Sequence, residues 1–113
     1  MPHIIIEASQ NIVSELDTTQ LVSVAHDALA DQLGDGDRIK TRLIVAHDVV
    51  VGNKGLSGAM IHVTLLLLEG RDEPTKQAYA KAIYDAIKTQ IQGMHECALT
   101  LEVRDMDKAT YMM

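Results

Sequence analysis

Phenylalanine and tryptophan are absent from this 113-residue chain, and three tyrosines are its only aromatic residues. So few flat rings offer no platform for stacking bases, and a formal net charge of −6 leaves no basic surface to follow a phosphate backbone. Nucleic acid is therefore excluded as an expected partner. The single cysteine, Cys97, cannot form an internal disulfide, and its neighbours Ala98 and Leu99 suggest a small buried hydrophobe rather than a reactive thiol. The longest largely apolar run, residues 63–68, falls far short of the roughly 20 residues a membrane helix needs. No membrane association is expected, and with no basic or apolar leader the expected location is the cytoplasm. Five histidines, at positions 3, 26, 47, 62 and 95, show no metal-ligand spacing, so no metal is expected.

The apparent phosphate and nucleophile motifs are also incomplete. Residues 52–58 (Gly-Asn-Lys-Gly-Leu-Ser-Gly) are glycine-rich with a lysine but lack the P-loop spacing, and the Gly-x-Ser-x-Gly pattern around Ser57 fails at Ala59. That stretch is expected to be a flexible connector, and no cofactor is expected. His47-Asp48 lies at a strand end, where a turn role outweighs a catalytic one. Asp105 and Asp107 read as a solvated edge.

Hydrophobic types at 47% give one compact domain, residues 1–113, with an adequate core. Residues 2–8 read as a strand that is apolar on both faces, with three consecutive isoleucines. Residues 9–16 are a polar connection. Asp17 caps a helix, with Gln20 three positions on as in a capping box, and Leu21, Val24, Ala25, Ala28 and Leu29 follow at helical spacing. Gly34 and Gly36 end it. Residues 38–51 form a long strand or a bent pair, with Lys40 and Arg42 on one face because the strand period is two. Residues 59–69 form another long strand. Pro74 then sits in the first turn of a second helix, whose buried stripe runs through Tyr79, Ile83, Ala86, Ile87, Ile91 and Met94. Leu99, Leu101 and Val103 mark a last strand.

The two halves, about 1–52 and 59–113, repeat each other. Residues 4–8 align with 66–70 and residues 18–33 with 75–91, each half reading strand, helix, strand. The expected fold class is α+β: tandem right-handed βαβ units forming a four-stranded mixed sheet with two helices on one face. Ile4, Ile6 and the leucines at 65–68 cannot all face the helices, so the open face should remain apolar and predicts an oligomer. The same order of elements also suits a ferredoxin-like module that binds a small ligand without catalysis. There the first strand lies beside the third, and Pro2 has no task.

Pro2 is the residue the rest of the chain points to. Removal of Met1 would make its ring nitrogen a free secondary amine held at the start of a rigid strand; with Met1 attached, that nitrogen is an inert amide. The turn Leu68-Glu69-Gly70-Arg71-Asp72-Glu73, together with Pro2-His3, Glu7, residues 39–42 and residues 61–65, resembles the tautomerase superfamily. The likeness is to 4-oxalocrotonate tautomerase and, in its doubled architecture, to the longer 5-carboxymethyl-2-hydroxymuconate delta-isomerase family.

The resemblance implies a carboxylated enol substrate from the breakdown of an aromatic acid, and a homotrimer with sites at subunit contacts. Pro2 would be the proton shuttle and Arg71 the grip on a carboxylate. Lys40 stands where the family has an arginine, so either Lys40 polarises the 2-oxo group or Arg42 reaches in instead, because lysine cannot reproduce bidentate binding. The apolar wall would be aliphatic or supplied by Tyr111. A phenylpyruvate-type tautomerase or a hydratase is the alternative on the same fold.

Overall fold

The computed structural model describes residues 1–94 and 96–113; His95 lies outside the described residues. The elements run β1 (His3–Ser9), α1 (Gln10–Val13), α2 (Thr18–Leu33), β2 (Lys40–Ala46), a 3-10 turn (Gly52–Ser57), β3 (Met60–Leu68), α3 (Glu73–Ile91) and β4 (Ala98–Met106). Local chemistry accounts for the helix ends. The Asp17 carboxylate accepts from the Gln20 N–H at 3.0 Å, and Gly34 leaves α2 at φ 78°. Asp72 accepts from the Thr75 N–H, and Pro74 occupies the first turn of α3, where a missing N–H costs nothing.

The four strands form one mixed sheet in the order β2-β1-β3-β4. β1 pairs with β2 and β3 with β4 in parallel, while β1 and β3 are antiparallel. β1 does lie beside β3, so that neighbourhood alone does not discriminate against the ferredoxin-like order. Strand order does, since β2 lies directly beside β1 and β4 directly beside β3, with no strand inserted between the two parallel strands of either half.

Ile4, Ile6, Ala8, Ile61, Val63, Leu65 and Leu67 are fully buried in one cluster with Leu21, Ala25 and Leu29 of α2 and Ile83 and Ile87 of α3. Each fully buried Leu or Ile side chain contributes about 1.5–3 kcal/mol relative to exposure, so this helix-covered face supplies most of the core.

The face left open differs from the expectation. Ile4 and Ile6 share the helix face with Leu65 and Leu67, so the internal alignment of Ile4 with Leu66 was shifted by an odd number of residues, which exchanges faces. The open face is mixed, with polar and charged groups among its apolar ones, rather than uniformly apolar. His62 pairs with Glu102 Oε2 at 2.6 Å and with Thr100 Oγ1 at 2.7 Å, and Arg104 donates to Glu102 Oε1 at 2.7 Å. Ile5, Leu66 and Leu68 are set among these groups and are half-buried.

Three further differences concern the connections. The polar stretch after β1 contains a helical turn because Ile12 is fully buried there. β2 stops at Ala46 instead of running to Val51. Residues 52–57 are an ordered 3-10 turn, held by the Asn11 side-chain amide, which donates to the Gly58 carbonyl at 2.8 Å.

Candidate active site

Strand direction gathers the site. Because β1 and β2 are parallel, the residues just before β2 lie level with the amino terminus, and because β3 is antiparallel to β1, the residues just after β3 lie there too. Pro2 is buried at this shared end, its carbonyl accepting from the Lys40 N–H at 3.0 Å. A cavity of about 290 Å³ opens beside it, with Arg38, Arg71 and Asp35 as its charged groups and Met1, Leu33, Leu68 and Met113 as its apolar rim.

The Gly-Arg turn places Arg71. Gly70 sits at φ 118°, a conformation that a Cβ opposes, and turns the chain sharply between β3 and α3. Arg71 is half-buried; its Nη1 donates to the Leu68 carbonyl at 3.4 Å, and its guanidinium carbon lies 5.8 Å from the centroid of the Tyr79 ring. Neither Glu69 nor Glu73 takes it as an ion-pair partner, and Glu69 instead accepts from the Lys108 N–H at 3.4 Å. Among the described residues the fork therefore has no carboxylate partner, which leaves it available to an anion.

The amine of Met1 at this end is held below its ordinary value, first by burial and then by the positive charges of Arg71, Arg38 and Lys40. Both effects disfavour the ammonium form.

Pro2 and Arg71 thus share a cavity, whereas Lys40 and Arg42 do not line it. Lys40 is exposed and lines a different hollow with His26 and Thr41. Arg42 lies on the open sheet face, its Nη1 3.1 Å from His3 Nδ1. Tyr111 is not a wall of the cavity either: its hydroxyl lies 2.7 Å from His3 Nε2, and the wall is aliphatic. His3 is pushed below its usual range by burial, then by Arg42, Lys40 and the amino terminus.

Sequence reasoning missed Arg38, reading it only as the beginning of a strand. A signal was available. In a parallel βαβ unit both strands start at the same end, so a cation just before the second strand must lie level with the first residue of the first.

The remaining candidates fall away. His47 and Asp48 meet at 3.2 Å but are 80% and 89% exposed, which fits a turn rather than a catalytic pair. Cys97 packs against the core and burial pushes its thiol up. Asp105 is more than a solvated edge, since it pairs with Lys76 at 3.2 Å. Among the described residues no group of three or more His, Cys, Asp or Glu is arranged to hold a metal, and no helix is long and apolar enough to cross a membrane. In a larger hollow of about 490 Å³ beside α3, Lys88 is accompanied by the carboxylates of Asp85 and Glu96.

Comparison with known proteins agrees with this fold. The family model for 5-carboxymethyl-2-hydroxymuconate isomerase matches residues 2–113. No curated protein matches. Among solved structures, a 5-carboxymethyl-2-hydroxymuconate isomerase from Deinococcus radiodurans R1 is similar at a TM-score of 0.88 and 18% identity, covering 99% of this chain and 87% of that one. A 5-carboxymethyl-2-hydroxymuconate delta-isomerase is similar at 0.84 and 18%, covering 100% and 87%. A fused 4-OT, described as an asymmetric trimer, is similar at 0.74 and 16%, covering 98% and 91%. At these identities the structural likeness speaks for the fold.

Proposed function

Because the chain belongs to the 5-carboxymethyl-2-hydroxymuconate isomerase family, we propose that it converts a carboxylated dienol to its conjugated ketone, with Pro2 as the proton shuttle once Met1 is removed. The coarser statement, that the chain is an isomerase of tautomerase type, follows from the family and the fold. The observation that supports the finer one is a single cavity lined by Pro2 together with Arg38, Arg71 and Asp35.

In this reading the Pro2 nitrogen takes the proton of the 2-hydroxyl, and the O–H electron pair becomes the carbonyl π bond. The double bonds shift by one position along the chain, and the same nitrogen returns the proton to the distal carbon. The reaction is redox-neutral and moves one proton within one substrate, so it calls for no cofactor. A base serves both steps best when its pKa lies near the working pH. The burial and the cations that lower the Met1 amine would act on a Pro2 amine one residue away in the same cavity.

Arg71, with its unpaired fork, would hold one carboxylate, and Arg38 would face the enolate oxygen or a second carboxylate. Lys40 would contribute through its field alone. Two guanidinium groups favour a substrate with two or more carboxylates over a phenylpyruvate-type enol with one.

A homo-oligomer, a trimer by analogy with the fused 4-OT, is part of the proposal. The outer edge of β2 has no partner strand in the sheet, and Ile44 and Val45 on it are 50% and 46% exposed. Such an edge invites pairing with another chain, and a second copy could bring Arg42 toward a neighbour's cavity.

The test couples mass spectrometry of the natively expressed chain to an enol-ketonisation assay. The expected result is a chain lacking Met1, with turnover abolished by labelling the terminal amine and reduced at least about 100-fold in Pro2→Ala, a loss at the low end of general acid–base contributions. A retained Met1 in an active enzyme would refute the shuttle.

A further inference from the structure

The segment after β4, residues 107–113, is folded back on the sheet. Asp107 turns it, with its Oδ1 accepting from the Ala109 N–H at 2.9 Å and its carbonyl accepting from the N–H groups of Thr110 at 3.2 Å and Tyr111 at 3.0 Å. Met106 is paired with Leu68, and Leu66 with His3, so a chain leaving β4 here crosses the ends of β3 and β1. Tyr111 comes to rest on His3, hydroxyl to Nε2 at 2.7 Å, with the rings edge to face at 5.9 Å between centroids. A guanidinium can only donate, so the Arg42 contact at 3.1 Å makes His3 Nδ1 an acceptor. The ring proton then sits on Nε2 and is donated to the Tyr111 oxygen.

Two residues further on, Met113 reaches the rim of the Pro2 cavity. Met112 and Met113 are 83% and 85% exposed, the most exposed of the large hydrophobic residues described. An exposed, flexible thioether at the mouth of a cavity with two guanidinium groups has nothing to pack on in the chain alone. A ligand held by Arg38 and Arg71 would provide it.

We propose that residues 107–113 form a strap, pinned to His3 by Tyr111, that lays Met113 across the mouth of the Pro2 cavity and sets the length of ligand the cavity retains. Tyr111 and His3 are positioning residues, and Met113 is the residue that meets the ligand's far end. The proposal rests on the cavity being an anion site, as argued above.

Methyl-labelled methionine NMR on the full chain tests it, with Met113 assigned through Met113→Leu. The probe is adipate, a six-carbon dicarboxylate that cannot tautomerise, and its binding is measured separately by calorimetry. Adipate should shift the Met113 methyl saturably. Tyr111→Phe keeps the ring and loses the hydroxyl. It should shrink the adipate-induced shift of the Met113 methyl and weaken adipate roughly 3- to 10-fold, the size of one neutral hydrogen bond. Affinity for malonate, too short to reach the strap, should not change.

An adipate-induced Met113 shift as large in Tyr111→Phe as in the parent chain overturns the pin. Calorimetric binding of adipate that leaves Met113 unmoved overturns the strap while sparing the site. No heat of binding at all overturns the site, and the strap with it.

Discussion

Replacing the four strand-end cations one at a time tests the site most directly. Arg71 is half-buried, has no carboxylate partner among the described residues and lines the cavity beside Pro2. A charge-assisted hydrogen bond contributes about 1.5–3 kcal/mol, which at 1.36 kcal/mol per decade is roughly a 10- to 150-fold change in kcat/KM. Arg71→Ala belongs at the upper end, near 100-fold. Arg38 lines the same cavity but is exposed, so water screens it and Arg38→Ala belongs near 10-fold. Lys40 and Arg42 do not line the cavity, and their alanine variants should stay within about 3-fold, the scale of a screened surface charge. The assay is ultraviolet absorbance of a dicarboxylated enol as it ketonises, on protein whose Met1 loss has been verified by mass. A larger loss from Lys40→Ala or Arg42→Ala than from Arg38→Ala would refute the assignment and return the site to the cations suggested by sequence.

The pH profile should follow the same charges. The base must be unprotonated, so kcat/KM rises with pH through the amine's pKa; removing Arg71 relieves a repulsion that holds that pKa down, and the acid limb of Arg71→Ala should move to higher pH. A limb that stays in place would disconnect Arg71 from the amine. Gly70→Ala forces a Cβ into φ 118° and should cost about 1–3 kcal/mol in denaturant unfolding, with a loss of activity beyond that seen in equally destabilised variants because Arg71 is displaced. Leu65→Ala, in the fully buried cluster, should cost about 2–5 kcal/mol with the residual activity of the folded fraction unchanged.

Much of this architecture is legible in the chain because its punctuation is local. Asp17 with Gln20, Gly34, Gly70 and Pro74 each carry a backbone requirement that does not depend on the rest of the molecule, and each stands where its chemistry dictates. What depended on long-range partners was not legible. The end of β2 at Ala46 was obscured by the valines at 49–51, which follow the polar His47-Asp48 and look like a continuing strand; the strand stops where β1 stops, at the Ser9–Ala46 pair. Ile12 is buried although the segment around it, residues 9–16, is largely polar. The choice of face for Ile4 against Ile5 needed the register with β3, and Thr64, Glu102 and His62 on the opposite face had not been read as its polar lattice. Pro2 and Arg71 were visible as a pair through the family likeness. Arg38 required the direction of β2 to be converted into a position in space.

The antiparallel junction of β1 and β3 makes the sheet read alike from either edge, and this bears on stoichiometry. Turning the sheet over about that junction exchanges the start of β1 with the start of β3, so the fold offers a second socket where Ala59 stands in for Pro2. That socket is chemically silent, because the Ala59 nitrogen is locked in a peptide bond and the turn after β1, Ser9-Gln10-Asn11, has no guanidinium where the other half has Arg71. Each polypeptide should accordingly saturate with a single dicarboxylate despite its twofold design.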